Sequence, residues 1–173
     1  VGLYNLFYGL FKTKAVGTPA PILDSALVEI SRNQIEKFLM SKGYFKAKVD
    51  AQIAVKNQRA DIHFKARPGL PFSVNDVRFE ISDSTMKDLY ARYKHQFTHL
   101  RAGMQYDDDS LAYEREQIYE LMKQNGYYDF LRPYIKFSVD SNLNNNKVNV
   151  ALQVENPEGK DQHQVFTIGQ TNI

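Results

Sequence analysis

One stretch of this chain occurs twice. Residues 24–45 can be laid on residues 107–128 without a gap, at an offset of 83. Asp24 meets Asp107, Arg32 meets Arg115, Gln34-Ile35 meets Gln117-Ile118, and Gly43-Tyr44-Phe45 meets Gly126-Tyr127-Tyr128. Leu23 and Tyr106 also correspond, as do Val28 and Leu111. Self-similarity at a fixed period means that one supersecondary unit is built twice, so a fold assigned to one copy has to serve the other.

Each copy reads first as a helix. Val28, Ile35, Phe38 and Leu39, like Leu111, Ile118, Leu121 and Met122, recur on one helical face. Asp24 and Asp107 are placed to cap these helices, because a carboxylate there accepts from free backbone N–H groups and complements the positive end of the helix dipole. Gly43 and Gly126 end them by supplying a left-handed residue.

After each Gly-aromatic stop the period changes from helical to twofold. Ala47, Val49, Ala51, Ile53 and Val55 alternate with Lys46, Lys48, Asp50, Gln52 and Lys56, the pattern of a half-buried strand. Asn57-Gln58 turns the chain, and Ala60, Ile62, Phe64 and Ala66 then face inward against polar neighbours. The second copy repeats the hairpin with Ile135, Phe137 and Val139, a polar turn at residues 141–146, and Val148, Val150, Leu152 and Val154. Both strands of each hairpin are expected to cover one core and leave one wet face.

Pro- and Gly-containing connectors follow each hairpin, at residues 67–71 and 156–159, each leading into another strand-like start at residues 72–81 and 164–168. The second unit is therefore expected to run strand, helix (residues 84–96), helix (residues 107–125), strand, strand. The first unit lacks its opening strand, and its first helix is expected in residues 4–14, with Leu3, Phe7, Leu10 and Phe11 as its apolar face. Residues 1–70 form the first unit, 71–160 the second, and 161–173 the start of a further one, so the chain is expected to be a fragment at both ends. Two prolines stiffen the connector at residues 67–71, and limited swivelling is expected between the units.

Composition narrows the function classes. Apolar residues make up 43% of the 173, enough for packed cores. A net charge of +2 with interspersed signs leaves no dense footprint for a nucleic-acid backbone. Cysteine is absent, which removes disulfides, thiolate metal sites and thiol nucleophiles. The apolar stretch at residues 3–11 is too short to span a bilayer. His95 and His99 share a helical face but lack a third metal ligand, and Asp107-Asp108-Asp109 reads as capping rather than a calcium loop. Glu114 and Glu116 read as a solvated helix face. The Tyr and Phe clusters at Tyr44-Phe45, Tyr90, Tyr93, Tyr113 and Tyr127-Tyr128 read as packing rather than as a base-stacking platform. No catalytic motif appears and no cofactor is called for, which leaves a small enzyme or RNA-binding domain as the weaker class.

The order of elements, with Gly43-Tyr44-Phe45 and Gly126-Tyr127-Tyr128 ending the two helices, resembles the POTRA repeats of the BamA and TamA outer-membrane assembly family. The stretch from Gly17 through Asp24-Ser25 to Gly43-Tyr44-Phe45, with Leu3-Tyr4-Asn5-Leu6 upstream, looks most like the TamA-like assembly lipoproteins of Bacteroidota, often called TamL. The resemblance implies an α+β fold of tandem β-α-α-β-β modules, each a three-stranded sheet covered on one face by two helices. It implies a non-catalytic scaffold on the periplasmic side of the bacterial outer membrane, whose partners are unfolded or nascent outer-membrane proteins, other envelope assembly components, and a membrane barrel elsewhere in the same protein. A module of similar fold from a two-partner secretion or cell-division protein is the alternative.

In that family the return strand lies mid-sheet, which puts the strand after Gly-Tyr-Phe at an edge able to accept an extended chain by β-augmentation. The expected protein-binding residues are Lys46, Lys48, Asp50, Gln52 and Lys56 on the first edge, and Arg132, Tyr134, Lys136 and Ser138 on the second. The lysines equally suit the blander role of guarding an edge against aggregation. Gln52→Pro is the expected probe of the first edge.

Overall fold

The computed structural model describes residues 22–167, 169 and 170. The helix expected in residues 4–14 lies outside them. The described elements are α1 (Ser25–Ser41), β1 (Lys48–Lys56), β2 (Arg59–Arg67), β3 (Ser73–Ile81), α2 (Ser84–Tyr93), α3 (Asp108–Gln124), β4 (Ile135–Leu143) and β5 (Lys147–Val154). Short 3-10 turns follow α2 at Lys94–Gln96 and precede β4 at Arg132–Tyr134.

The repeat is visible in the helix ends. Asp24 accepts from the Ala26 amide at 2.8 Å, and Asp107 accepts from the Asp109 amide at 3.0 Å. Gly43 and Gly126 both sit at φ 88°. There the chain folds back, with Tyr44 N–H on the Leu39 carbonyl and Tyr127 N–H on the Met122 carbonyl.

β1 and β2 pair antiparallel in unbroken register from Lys48 opposite Arg67 to Lys56 opposite Arg59. Asn57 and Gln58, both at positive φ (51° and 60°), close them in the two-residue turn whose twist suits a hairpin. In the second unit the order is β3-β5-β4. β3 runs parallel to β5, which needs a long crossover; α2, α3 and β4 fill it. β4 pairs antiparallel with β5 and lies at an edge. The second unit is thus a β-α-α-β-β module with a three-stranded sheet and two helices.

Its core follows from β5 being central. Val148, Val150, Leu152 and Val154 alternate inward along it and are all buried. Leu152 and Val154 pack with Met86 and Tyr90 of α2 and Ile118 and Met122 of α3. Val148 and Val150 pack at the other end with Phe72, Tyr106 and Leu111, and Phe45 of the first unit joins them.

Several expectations need correcting. Among the described residues the inner face of the first hairpin is closed at its base, where α1 bonds Val49: Ala47 and Val49 are buried, whereas Ile53 is 41% and Val55 67% exposed. Glu114 is no part of a solvated face; it is fully buried between α3 and α2, where Tyr90 Oη donates to its Oε1 at 2.7 Å. Arg132 and Tyr134 stand in a 3-10 turn rather than in the strand, which begins at Ile135, because Pro133 suits the start of a helical turn. Residues 164–167 form no strand; they run beside Gly126, and Ile168 lies outside the described residues.

Candidate functional site

Among the described residues no strand pairs with the outer edge of β1 or β4, nor with that of β2 or β3. Among the described residues β1 pairs only with β2 and β4 only with β5. Antiparallel ladders alternate, so on each strand every second residue bonds its partner and the residues between turn their N–H and C=O outward.

The parity is fixed by observation. A two-residue turn makes Lys56 and Arg59 a hydrogen-bonded pair, so Ala54, Gln52, Asp50 and Lys48 also bond to β2. Val49 confirms this, since its amide and carbonyl are taken from the other side: Glu36 Oε1 accepts from Val49 N at 3.1 Å, and Arg32 Nη1 donates to Val49 O at 3.2 Å. The open register of β1 is therefore Ala51, Ile53 and Val55. In β4, Glu155 N donates to Tyr134 O at 3.0 Å, which pairs Lys136 and Ser138 with β5 and turns Ile135, Phe137 and Val139 outward. Arg115 Nε donates to the outward Ile135 carbonyl at 3.3 Å.

Arg32 and Arg115 are equivalent in the sequence repeat, and they do equivalent work. Each reaches from its helix to the first outward carbonyl of its edge strand. A guanidinium holds that carbonyl at one end of the edge and leaves the rest of the register open. Arg32 is itself fixed by Glu29 at 2.6 Å and Glu36 at 3.3 Å. Arg115 lies 5.4 Å from the centre of the Phe137 ring, which steadies it over the edge.

The residues expected from the sequence fall on the other parity. Lys48, Asp50, Gln52 and Lys56 lie in β1, and Lys136 and Ser138 in β4, but their backbone groups face the neighbouring strand and their side chains stand on the wet face. Asp50 pairs with Arg67 at 2.5 Å and Lys136 with Glu155 at 2.6 Å across that face. Gln52→Pro would break the β1–β2 ladder instead of blunting the free edge; Ala51 holds the outward donor. Lys46 precedes β1 and reaches the second unit, with Nζ 3.0 Å from Asn146 Oδ1 and over the Phe72 ring. Arg132 pairs with Glu116 at 2.5 Å and lies 3.6 Å from the Tyr119 ring centre, and the Tyr134 ring stacks edge-on against His163.

A second geometry joins the units. Phe72 N donates to Gly43 O at 2.8 Å and Tyr106 N donates to Phe72 O at 2.9 Å. The Phe45 ring meets Phe72 edge-on at 5.1 Å and Tyr106 at 5.0 Å. Lys42 Nζ lies 3.0 Å from Asp107 and 2.5 Å from Asp109, and Gln105 Nε2 donates to Lys42 O at 2.8 Å. A Cβ on Gly43 would stand 2.6 Å from Tyr106 O. Such contacts tie the residues before β1 to those opening the second module.

Residues 10–69 match the model of the POTRA family, described as surface antigen variable number repeat. That match covers the first unit; the internal repeat carries its pattern into the second. Among curated proteins none matches. The fold is similar to the crystal structure of Haemophilus influenzae BamA POTRA3-5, with TM-score 0.52 and 15% identity over 87% of this chain. This chain covers 59% of that one. A structure of BamA from Haemophilus ducreyi lacking POTRA domains 1-3 matches with TM-score 0.42 and 19% identity, over 89% of this chain and 27% of that one. The α+β module of a three-stranded sheet with helices is thus the fold of POTRA domains.

Proposed function

We propose that this chain is a periplasmic scaffold of an outer-membrane protein assembly factor, and that β4 receives extended segments of client or partner polypeptides by β-augmentation. The observation that carries this reading is the edge of β4, where the N–H and C=O groups of Phe137 and Val139 face outward beyond the arginine-held Ile135. Backbone hydrogen bonding is largely indifferent to sequence, which suits a protein that meets many unfolded barrel strands. The β1 edge offers the same register at Ala51, Ile53 and Val55. The half-exposed apolar face of its hairpin gives alternate side chains of an incoming strand something to rest on.

Nascent outer-membrane proteins, other envelope assembly components and a membrane barrel of the same protein are the partners this reading calls for. Gly43-Tyr44-Phe45 with its upstream residues further favours the TamA-like assembly lipoproteins of Bacteroidota. The test is Val139→Pro, which removes one outward donor from an edge strand, where proline is tolerated. A peptide of about ten residues with the alternating apolar pattern of a barrel strand is expected to bind the parent chain. It should bind the variant at least about tenfold more weakly, the equivalent of one hydrogen bond. Undiminished binding by a variant with unchanged circular dichroism would exclude β4.

A further inference from the structure

The arginine that reaches the edge strand is saturated in the first unit and open in the second. A guanidinium can donate several hydrogen bonds and takes carboxylates two at a time. Arg32 spends its donors on Glu29 at 2.6 Å, Glu36 at 3.3 Å, Asn33 Oδ1 at 2.7 Å and Val49 O at 3.2 Å. Arg115 spends Nε on Ile135 O at 3.3 Å, and among the described residues neither of its Nη groups has a hydrogen-bond partner. Its guanidinium carbon lies 5.4 Å from the centre of the Phe137 ring, at the very edge where β4 turns backbone groups outward.

The sequence repeat explains the difference. At the offset of 83, Ala112 stands where Glu29 stands and Tyr119 where Glu36 stands, so neither carboxylate has a counterpart. Glu116 takes the place of Asn33 but is turned to Arg132, at 2.7 Å and 2.5 Å. A half-buried guanidinium thus stands at β4 with no counter-charge among the described residues. The face it occupies is fixed as well. Ile135 is buried, and Phe137 and Val139 pack on the helix side of the sheet. Residues directly opposite each other in an antiparallel pair put their side chains on the same face. A residue of an added strand opposite Phe137 therefore points its side chain to the face from which α3 brings Arg115.

We propose that Arg115 receives an Asp or Glu side chain of a segment that adds antiparallel to β4, so that this edge selects acidic segments and sets their orientation and register. This rests on the reading that β4 takes up extended segments, and adds what such a segment carries. Ile135 is the first residue of β4, so a strand added antiparallel brings its carboxyl-terminal residues to Arg115. The Ile135 carbonyl and the Phe137 ring already hold the guanidinium in place, so less side-chain freedom is lost when a carboxylate arrives. The two Nη groups present the fork that a carboxylate accepts from bidentately. On β1 the same fork is closed by Glu29, so the two edges differ in the charge they ask of a partner.

The barrel-strand peptide, made without acidic residues and blocked at both ends, is the reference. Two further peptides carry a single Glu, one second from the carboxyl end and one second from the amino end. Calorimetry with the parent chain is expected to show the first binding about fivefold more tightly than the reference, as one ion pair allows, and the second binding like the reference. The gain should shrink in about 0.5 M sodium chloride and disappear in Arg115→Met of unchanged circular dichroism. Equal binding of all three peptides by the parent chain would overturn the proposal and leave β4 an edge blind to charge. A gain that survives high salt, persists in Arg115→Met or comes from Glu at the amino end would overturn it too. If none of the peptides binds, the reading of β4 as a receiving edge fails first, and the role of Arg115 with it.

Discussion

Replacing Gly43 by alanine separates two effects that usually come mixed. The residue sits at φ 88°, where a Cβ costs about 1–2 kcal/mol whatever surrounds it. Here the Cβ would also stand 2.6 Å from Tyr106 O, so backbone must move by several tenths of an ångström. That shift strains the bonds from Phe72 N to Gly43 O and from Tyr106 N to Phe72 O, each contributing about 1 kcal/mol. The expected loss for Gly43→Ala is therefore about 3–4 kcal/mol. Gly103→Ala is the control: its φ is 87°, but nothing lies within 4 Å of the added Cβ, so only the strain of about 1–2 kcal/mol remains. Urea unfolding of both variants, followed by far-ultraviolet circular dichroism, measures the difference. If the two variants lost the same stability, the junction could not be a close backbone contact, and the reasoning would be refuted.

Two further outcomes follow from buried and paired groups. Burial raises the Glu114 carboxyl above its ordinary value near 4.5, against the opposing pull of Tyr90, Thr98, His99 and Lys94. The folded chain thus keeps a proton that the unfolded chain releases; the contribution is fully present below about 4.5 and lost as pH rises through the raised value. Unfolding at a series of pH values should show wild type falling relative to Glu114→Gln as pH increases, and a constant or reversed difference contradicts this. Arg115→Met should cost about 1 kcal/mol through loss of the bond to Ile135 O and should lengthen the open register of β4 by one acceptor. Calorimetry with the barrel-strand peptide should show binding unchanged or tighter, and weaker binding would mean that Arg115 contacts the peptide itself.

How much of this is legible in the sequence depends on whether the deciding contact is local. The helix caps at Asp24 and Asp107 and the stops at Gly43 and Gly126 are local, and the repeat at offset 83 places them correctly. So does the hairpin alternation, down to Asn57-Gln58. The parity of the open edge is also within reach, because a two-residue turn makes Lys56 and Arg59 a bonded pair and so turns Ala51 and Ile53 outward; the charged residues of β1 follow the side-chain pattern rather than the backbone. Pro133 similarly marks the break before β4. The burial of Glu114 is not legible, since it depends on Tyr90 arriving from another helix. Arg32 and Arg115 match in the repeat, yet their shared task shows only once each helix is laid against its own strand.

The proposed function rests on β4 offering Phe137 and Val139 outward while Lys136 and Ser138 are bonded to β5. Residue-resolved amide hydrogen exchange by nuclear magnetic resonance tests this directly, with and without the barrel-strand peptide. Lys136 and Ser138 amides should be protected in the free chain, and those of Phe137 and Val139 should exchange fast until the peptide is added and then slow. Protection of Phe137 and Val139 in the free chain, or no change on adding peptide, would contradict it.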